Sequence, residues 1–174
     1  MSVDEVGHSK HYTISVRVRN DKTRFTQVIG VDLFSLLGAL NTDVFEKVHV
    51  VSQTDDGLKA HVVVVYKHFG KDLGLPRRYS SFNLIKGNEG DDIRVKTTAA
   101  VCPREFVPEG FSESLSDDST SFLIRPDIDD LGGEIIYTFA VHGDAANGAM
   151  KNMAGTLMKK VLIRLKTFLE AVNR

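Results

Sequence analysis

The stretch AANGAMKNMAGTLMKKVLIRLKTFLEAV, residues 145–172, decides the fold. Its apolar residues fall at 150, 153, 154, 157, 158, 161, 162, 165, 168, 169 and 172, the spacing of one helix face held for about seven turns. At ~1.5 Å per residue such a helix is roughly 40 Å long. Asp144 stands where an N-cap belongs. Lys159, Lys160, Lys166 and Arg174 gather in the C-terminal half, where cations meet the negative end of the helix dipole. Lys151, Lys159, Lys160 and Lys166 read as a solvated face opposite the stripe. A stripe this long has to be buried against another layer.

Upstream residues supply that layer as strands. Tyr12, Ile14, Val16 and Val18 alternate with Thr13, Ser15, Arg17 and Arg19, a half-buried strand. After the turn signal Asn20-Asp21, residues 24–28 read as a second strand ended by Gly30. Residues 31–40 read as a short helix with Leu33, Phe34, Leu36, Leu37 and Leu40 on one face and Asp32 in its first turn. Asp55-Asp56-Gly57 joins strands at 48–53 and 58–68, and Gly87-Asn88-Glu89-Gly90 joins strands at 77–85 and 93–101. The run Val62-Val63-Val64-Val65 carries no polar alternation, so both faces of that strand are covered. Strands at 111–115, 121–125 and 135–141 complete the set. Residues 1–10 are polar and unpatterned and are expected to form a flexible terminus, leaving 11–174 as a single domain. The class is α+β: a curved antiparallel β-sheet wrapped around a long C-terminal α-helix. A helix of about 10 Å diameter cannot fill the hollow of so large a sheet. The remaining space is either plugged by side chains or left as a cavity.

The 174 residues carry 22 basic against 23 acidic side chains, so no overall basic excess points to nucleic acid. One cysteine, Cys102, excludes a disulfide framework, and as a partly buried thiol beside Pro103 it has no local base to activate it. The N-terminus has no signal-like apolar core, and the longest apolar stretch, 62–66, is far short of a membrane span, so a cytoplasmic protein is expected. None of the standard nucleophile-elbow, phosphate-loop, dinucleotide or zinc-protease motifs occurs. His61 and His68 are seven apart on one strand and point to opposite faces, which disfavours a metal site. Glu105, Glu109, Glu113, Asp117 and Asp118 spread through a turn-rich passage and read as a solvated rim. Neither a cofactor nor a catalytic group is assigned, and an enzyme is not expected.

Four passages resemble the START domain, the lipid-transfer fold also called helix-grip. Val31-Asp32-Leu33-Phe34-Ser35-Leu36-Leu37 resembles that family's short helix after the first strands. Leu75-Pro76-Arg77-Arg78-Tyr79-Ser80-Ser81-Phe82 resembles its Pro-Arg-Asp-aromatic strand opening. Residues 94–126, with Pro103, Pro108 and the closing Ser121-Phe122-Leu123-Ile124-Arg125-Pro126, resemble its central strands, and 134–172 its last strand and lid helix. The likeness runs from about His11 to the end. It departs at Arg78, where the family has Asp, in having no Trp, in lacking an N-terminal helix, and in the short link Gly143-Asp144 before the lid.

The resemblance implies one hydrophobic ligand, such as a sterol, phospholipid or fatty acid, held in an internal cavity for lipid transfer or sensing, without covalent chemistry. A START-like module with a reduced cavity that serves protein–protein interaction is the alternative. Strand parity and the helix stripe nominate Val64, Tyr66, Ser80, Phe82, Leu84, Val95, Thr97, Tyr137, Phe139, Met150, Met153, Ala154, Leu157, Met158 and Val161 as lining residues. Among polar groups, Arg94, Ser80 and Tyr137 are the candidates to orient a ligand head group, with Arg94 equally consistent with an outward position. A cavity of several hundred Å3 is the expectation for a fatty chain. The resemblance also places the loop at 67–78 beside a ligand portal. There Phe69, Lys71, Leu73 and Leu75 suit either shallow contact with a membrane surface or packing on the body. Gly148 and Gly155 make the first half of the lid helix the expected site of opening, unless they serve close packing.

Overall fold

The computed structural model describes residues 1–6, 9–28, 32–115, 120–141 and 148–172, with backbone only at 5, 6, 9, 28 and 148–151. Nine strands form one sheet. They are β1 (Ser2–Val6), β2 (Ser9–Arg19), β3 (Phe45–Gln53), β4 (Lys59–Tyr66), β5 (Arg77–Glu89), β6 (Asp92–Ala99), β7 (Ser112–Leu115), β8 (Ser121–Pro126) and β9 (Gly132–Val141). The order across the sheet is β1-β2-β9-β8-β6-β5-β4-β3, antiparallel throughout, with β7 added in parallel to the start of β5. The sheet is curved and not closed. Among the described residues there are three α-helices, α1 (Phe25–Val28), α2 (Leu33–Leu40) and α3 (Gly148–Ala171). Two hairpin turns are set by glycines at positive φ, Gly57 at +68° and Gly90 at +66°, conformations that a side chain resists.

Alternation decides which side of each strand is buried. Tyr12, Ile14 and Val18 of β2, Val62 and Val64 of β4, Phe82 and Leu84 of β5, Ile93 and Val95 of β6, Phe122 and Ile124 of β8, and Ile135 and Phe139 of β9 share one core. Val161, Leu162, Leu165 and Leu169 of α3 fill it from the concave side. The helix is tied down along its length. Asn20 Nδ2 donates to the carbonyls of Leu169 and Val172, each at 2.8 Å, capping the C-terminus. Lys166 Nζ donates to the Arg17 carbonyl at 2.7 Å and pairs with Glu170. Arg164 and Lys160 converge on Asp43, whose carboxyl they hold well below its ordinary range, and Arg164 also donates to Asn41 Oδ1. Near the start of the helix, Lys10 Nζ reaches Asn152 Oδ1 at 2.9 Å.

Two features differ from the sequence reading. Residues 25–28 form a helical turn rather than a strand. Asp130, at φ +55°, takes the Thr26 amide and hydroxyl on its carboxylate at 3.0 and 2.7 Å, and its carbonyl takes the Phe25 amide at 2.7 Å. Phe25 is thereby buried against Gly133, where a Cβ would lie 2.5 Å from Phe25 Cε1. These partners lie about a hundred residues away, so no local pattern foretells the turn. The polar N-terminus supplies β1, an edge strand paired with β2 from Ser2↔Thr13 to Val6↔Ser9. An edge strand needs backbone pairing on one side only and can be polar. The long helix is described from Gly148, and the N-cap expected at Asp144 lies outside the described residues.

The outer face of β4 is covered as well. Val63 and Val65 point away from the helix yet are buried. Phe106 lies on the ring of His49, the cross-strand partner of Val63, with centroids 4.7 Å apart. The passage after β6, with a short 3-10 turn at Arg104–Phe106, thus lies over part of the outer side of the sheet at β3.

Candidate functional site

A small apolar cavity of about 40 Å3 lies between the concave face, α2 and α3. It is lined by Phe34, Leu37, Phe45, Val48, Val64, Tyr66, Phe82, Thr120, Phe122, Tyr137, Met158, Val161 and Leu162. Six of these side chains are aromatic and none is charged, so the space suits a neutral apolar body and not an ion. The volume is far below the several hundred Å3 expected for a fatty chain. Rings account for the difference. Tyr12 stacks on Phe139 at 5.0 Å, Phe139 on Tyr137 at 5.0 Å and Tyr137 on Phe122 at 4.4 Å, giving a ladder across β2, β9 and β8. Phe34 of α2 then closes on Phe122 at 5.6 Å and on Phe82 at 5.3 Å. Phe45 and Tyr66 meet at 5.7 Å on the far wall.

The cavity brings together six of the residues nominated from sequence: Val64, Tyr66, Phe82, Tyr137, Met158 and Val161. Leu84, Val95, Thr97 and Phe139 are buried on the same face of the sheet but lie outside the lining, as does Ser80, whose Oγ is 3.5 Å from Tyr66 Oη. Ala154 and Leu157 pack on the core from α3, and Met153 is 38% exposed. The side chain of Met150 lies outside the described residues. Arg94 stands on the opposite side of β6 from Val95 and forms a two-nitrogen ion pair with Glu89. That pairing holds Glu89 below the ordinary carboxylate range. Phe34, Leu37, Phe45, Val48, Thr120, Phe122 and Leu162 belong to the lining and were not nominated. Parity on β3 and β8 marks their faces, but not which inward residues border the gap.

The polar groups near the cavity are uncharged hydroxyls. Thr97 Oγ1 donates to the Thr120 carbonyl at 3.2 Å, and Thr120 reaches the lining. Tyr66 and Tyr137 bring a phenol each. Such groups can orient a hydroxyl or carbonyl, and they cannot neutralise a charge. Among the described residues no nucleophile–base pair borders the cavity. Ser81 Oγ and His61 Nε2 are 2.8 Å apart, but their neighbours Phe82 and Val62 face the core, so the pair sits on the other side of the sheet. Burial pushes the Cys102 thiol up, opposite to what a nucleophile needs. Among the described residues no group of three His, Cys, Asp or Glu side chains could hold a metal ion.

At the end of the sheet where β4 and β5 meet, the loop after β4 folds partly on itself. Leu75 packs against Gly70, and His68 Nε2 lies 2.7 Å from the Leu75 carbonyl. Phe69 is half-buried, and Leu73 is 79% exposed at the tip of the turn Lys71–Leu73 with Lys71 beside it. Phe111, 73% exposed, adjoins this loop through its carbonyl, which accepts the Arg77 amide at 2.9 Å. An exposed aromatic after Glu109-Gly110 was the available sequence signal. Arg77 and Arg78 are committed to Glu46 at 3.5 Å and Glu113 at 3.4 Å. Among the described residues no helix is long and apolar enough to cross a membrane.

The open curved sheet gripping a C-terminal helix is the START helix-grip fold, and solved structures of that class superpose on nearly the whole chain. The lipid transfer and protein localization domain of human StarD13 matches at 13% identity with a TM-score of 0.67, covering 95% of this chain and 80% of that one. Human StAR-related lipid transfer protein 5 matches at 10% identity and a TM-score of 0.66, covering 99% and 88%. A START superfamily protein from Mycobacterium smegmatis matches at 12% identity and a TM-score of 0.58, covering 94% and 99%. No family model matches the sequence, and no curated protein matches it.

Proposed function

We propose that this protein binds one hydrophobic small molecule, a lipid such as a sterol, phospholipid or fatty acid, between the concave sheet and α3, and carries or senses it without covalent chemistry. The observation that carries this reading is the cavity itself: thirteen lining residues, none charged, under a lid helix, in a fold shared with lipid transfer domains. Val64, Tyr66, Phe82, Tyr137, Met158 and Val161 would contact the ligand directly. Ser80, Leu84, Val95, Thr97, Phe139, Ala154 and Leu157 would support that wall from the core. Thr120 and the two phenols would orient a neutral polar end. Leu73 and Phe111 would rest on a membrane surface during exchange, with burial of apolar tips doing more than charge, since Arg77 and Arg78 already have carboxylate partners.

The cavity's size favours a second reading, an interaction module whose pocket has been filled. Native mass spectrometry of protein purified from cells separates the two. The lipid reading expects a single adduct of lipid mass that organic solvent removes. Bare protein that also takes up no offered lipid supports the interaction module.

A further inference from the structure

We propose that the first half of α2 is the wall that moves to admit the ligand, and that Phe34 is the side chain that keeps the cavity shut; this rests on the cavity reading above. At about 40 Å3 the space must grow several-fold before a ligand of ordinary size enters. Among the described residues the lining comes from the sheet, with Thr120 just before β8, from α3 and from α2. The sheet is held by cross-strand pairing from β3 to β8, interrupted only by register shifts in β3 at Phe45/Lys47 and Val50/Ser52. The lid helix is held at four places. Lys10 and Asn152 join its beginning, Asp43 takes Lys160 and Arg164, Arg17 takes Lys166, and Asn20 caps its end. Gly155 adds a steric seat on Tyr12, closer than any side chain permits.

The α2 helix is held differently. Its eight residues are too few to be stable without tertiary contacts. Asp32 at its N-cap makes no side-chain capping bond. Its polar ties lie at the other end, where Asn41 Nδ2 donates to the Leu37 carbonyl at 2.9 Å and Arg164 anchors Asn41 to α3. Gly38 rests on Val48 beside that anchor. Among the described residues, no side-chain hydrogen bond or ion pair reaches 33–36. The helix is therefore hinged at Asn41, and its start is held by apolar contact alone. Phe34 projects from that start between Phe82 and Phe122 and is only partly buried. Moving it strands no buried polar group, which is the property of an element that opens cheaply. Burial of Leu33 and Leu37 returns the helix to the closed position when no ligand takes its place.

Amide exchange of the unmodified protein, resolved by segment, decides whether this wall moves. Exchange at Leu36 and Leu37, whose amides bond back to the first turn, at least a hundredfold faster than in 161–169 is expected. Equal protection in the two segments overturns the proposal whether or not a ligand is found. Stopped-flow uptake of a dansyl-labelled fatty acid then assigns the gate to Phe34. Phe34→Ala and the milder Phe34→Leu should speed association, the former at least tenfold, with circular dichroism unchanged. Folded variants that load at the wild-type rate overturn the role of Phe34. Fast exchange in α2 with no uptake by any of the three proteins would refute the ligand reading while upholding the movable wall.

Discussion

Replacing Gly155 by Ala sets two opposed effects against each other, and the structure decides which one wins. Alanine in a helix interior gains about 1 kcal/mol over glycine from backbone entropy. The added Cβ, however, would overlap Cε1 of Tyr12 and lie 2.9 Å from Cδ1 and 3.0 Å from Cζ. The Tyr12 ring has nowhere to go, because it is 3% exposed and stacks on Phe139 with planes 11° apart. Displacing it shifts the ring ladder or lifts α3, an overpacking cost of about 2–3 kcal/mol. The net expectation is a loss of roughly 1–2 kcal/mol. With a urea slope of roughly 2 kcal/mol per M, the unfolding midpoint should fall by roughly 0.5–1 M. Equilibrium urea unfolding followed by circular dichroism measures it, with the exposed Lys159→Ala as a control expected to be near neutral. A midpoint that rises in Gly155→Ala would refute the close-packing argument. It would return this glycine to the alternative role of loosening the helix for ligand exchange.

Three further outcomes follow from named contacts. Asn20→Ala leaves the carbonyls of Leu169 and Val172 without their donor and should cost about 2 kcal/mol in urea unfolding, with faster amide exchange confined at first to the last turn of α3. The Asp43 carboxyl is depressed by Arg164 first and Lys160 second, so its stabilising effect is complete above its unfolded pKa near ~4 and is lost as pH falls toward the depressed value. The pair is half exposed and screened, so the effect is modest. Asp43→Asn should lower the thermal midpoint at pH 7 and flatten its decline between pH 4 and pH 2, a change that is absent if the ion pair contributes nothing. Leu73→Ser with Phe111→Ser should weaken cosedimentation with phosphatidylcholine–phosphatidylserine vesicles while changing stability by less than about 0.5 kcal/mol. Unaltered vesicle binding would remove this loop from membrane contact.

Local periodicity made the sheet and the lid helix legible. The stripe from Leu157 to Leu169, Phe168 apart, names the helix and its buried side, and the valine run of β4 names a strand covered on both faces, each without reference to the rest of the chain. The failures share one cause, long-range partners. The turn at Phe25 exists because Asp130 captures two amides and a hydroxyl. β1 exists because β2 offers an open edge. At the cavity, parity told the inward side of β4, β5 and β9. It also separated Arg94 from Val95, which makes the outward Glu89 pair readable in retrospect. Parity could not tell which inward rings meet. Phe34, Phe45 and Phe122 come from three separate elements, and only their assembly around the gap shows that aromatic side chains reduce it to about 40 Å3.

The central claim, that a lipid occupies this cavity, has a direct optical test because the chain contains no tryptophan. Phe45→Trp places a single fluorophore on the cavity wall, and Ile85→Trp, at a position 43% exposed and paired with Lys96, places one off the lining as a control. Each variant is titrated with a brominated fatty acid and a brominated phospholipid, whose halogen quenches only at contact. The account predicts saturable quenching at one ligand per protein in Phe45→Trp and none in Ile85→Trp. Equal quenching of both, or none in a folded Phe45→Trp protein, would contradict it.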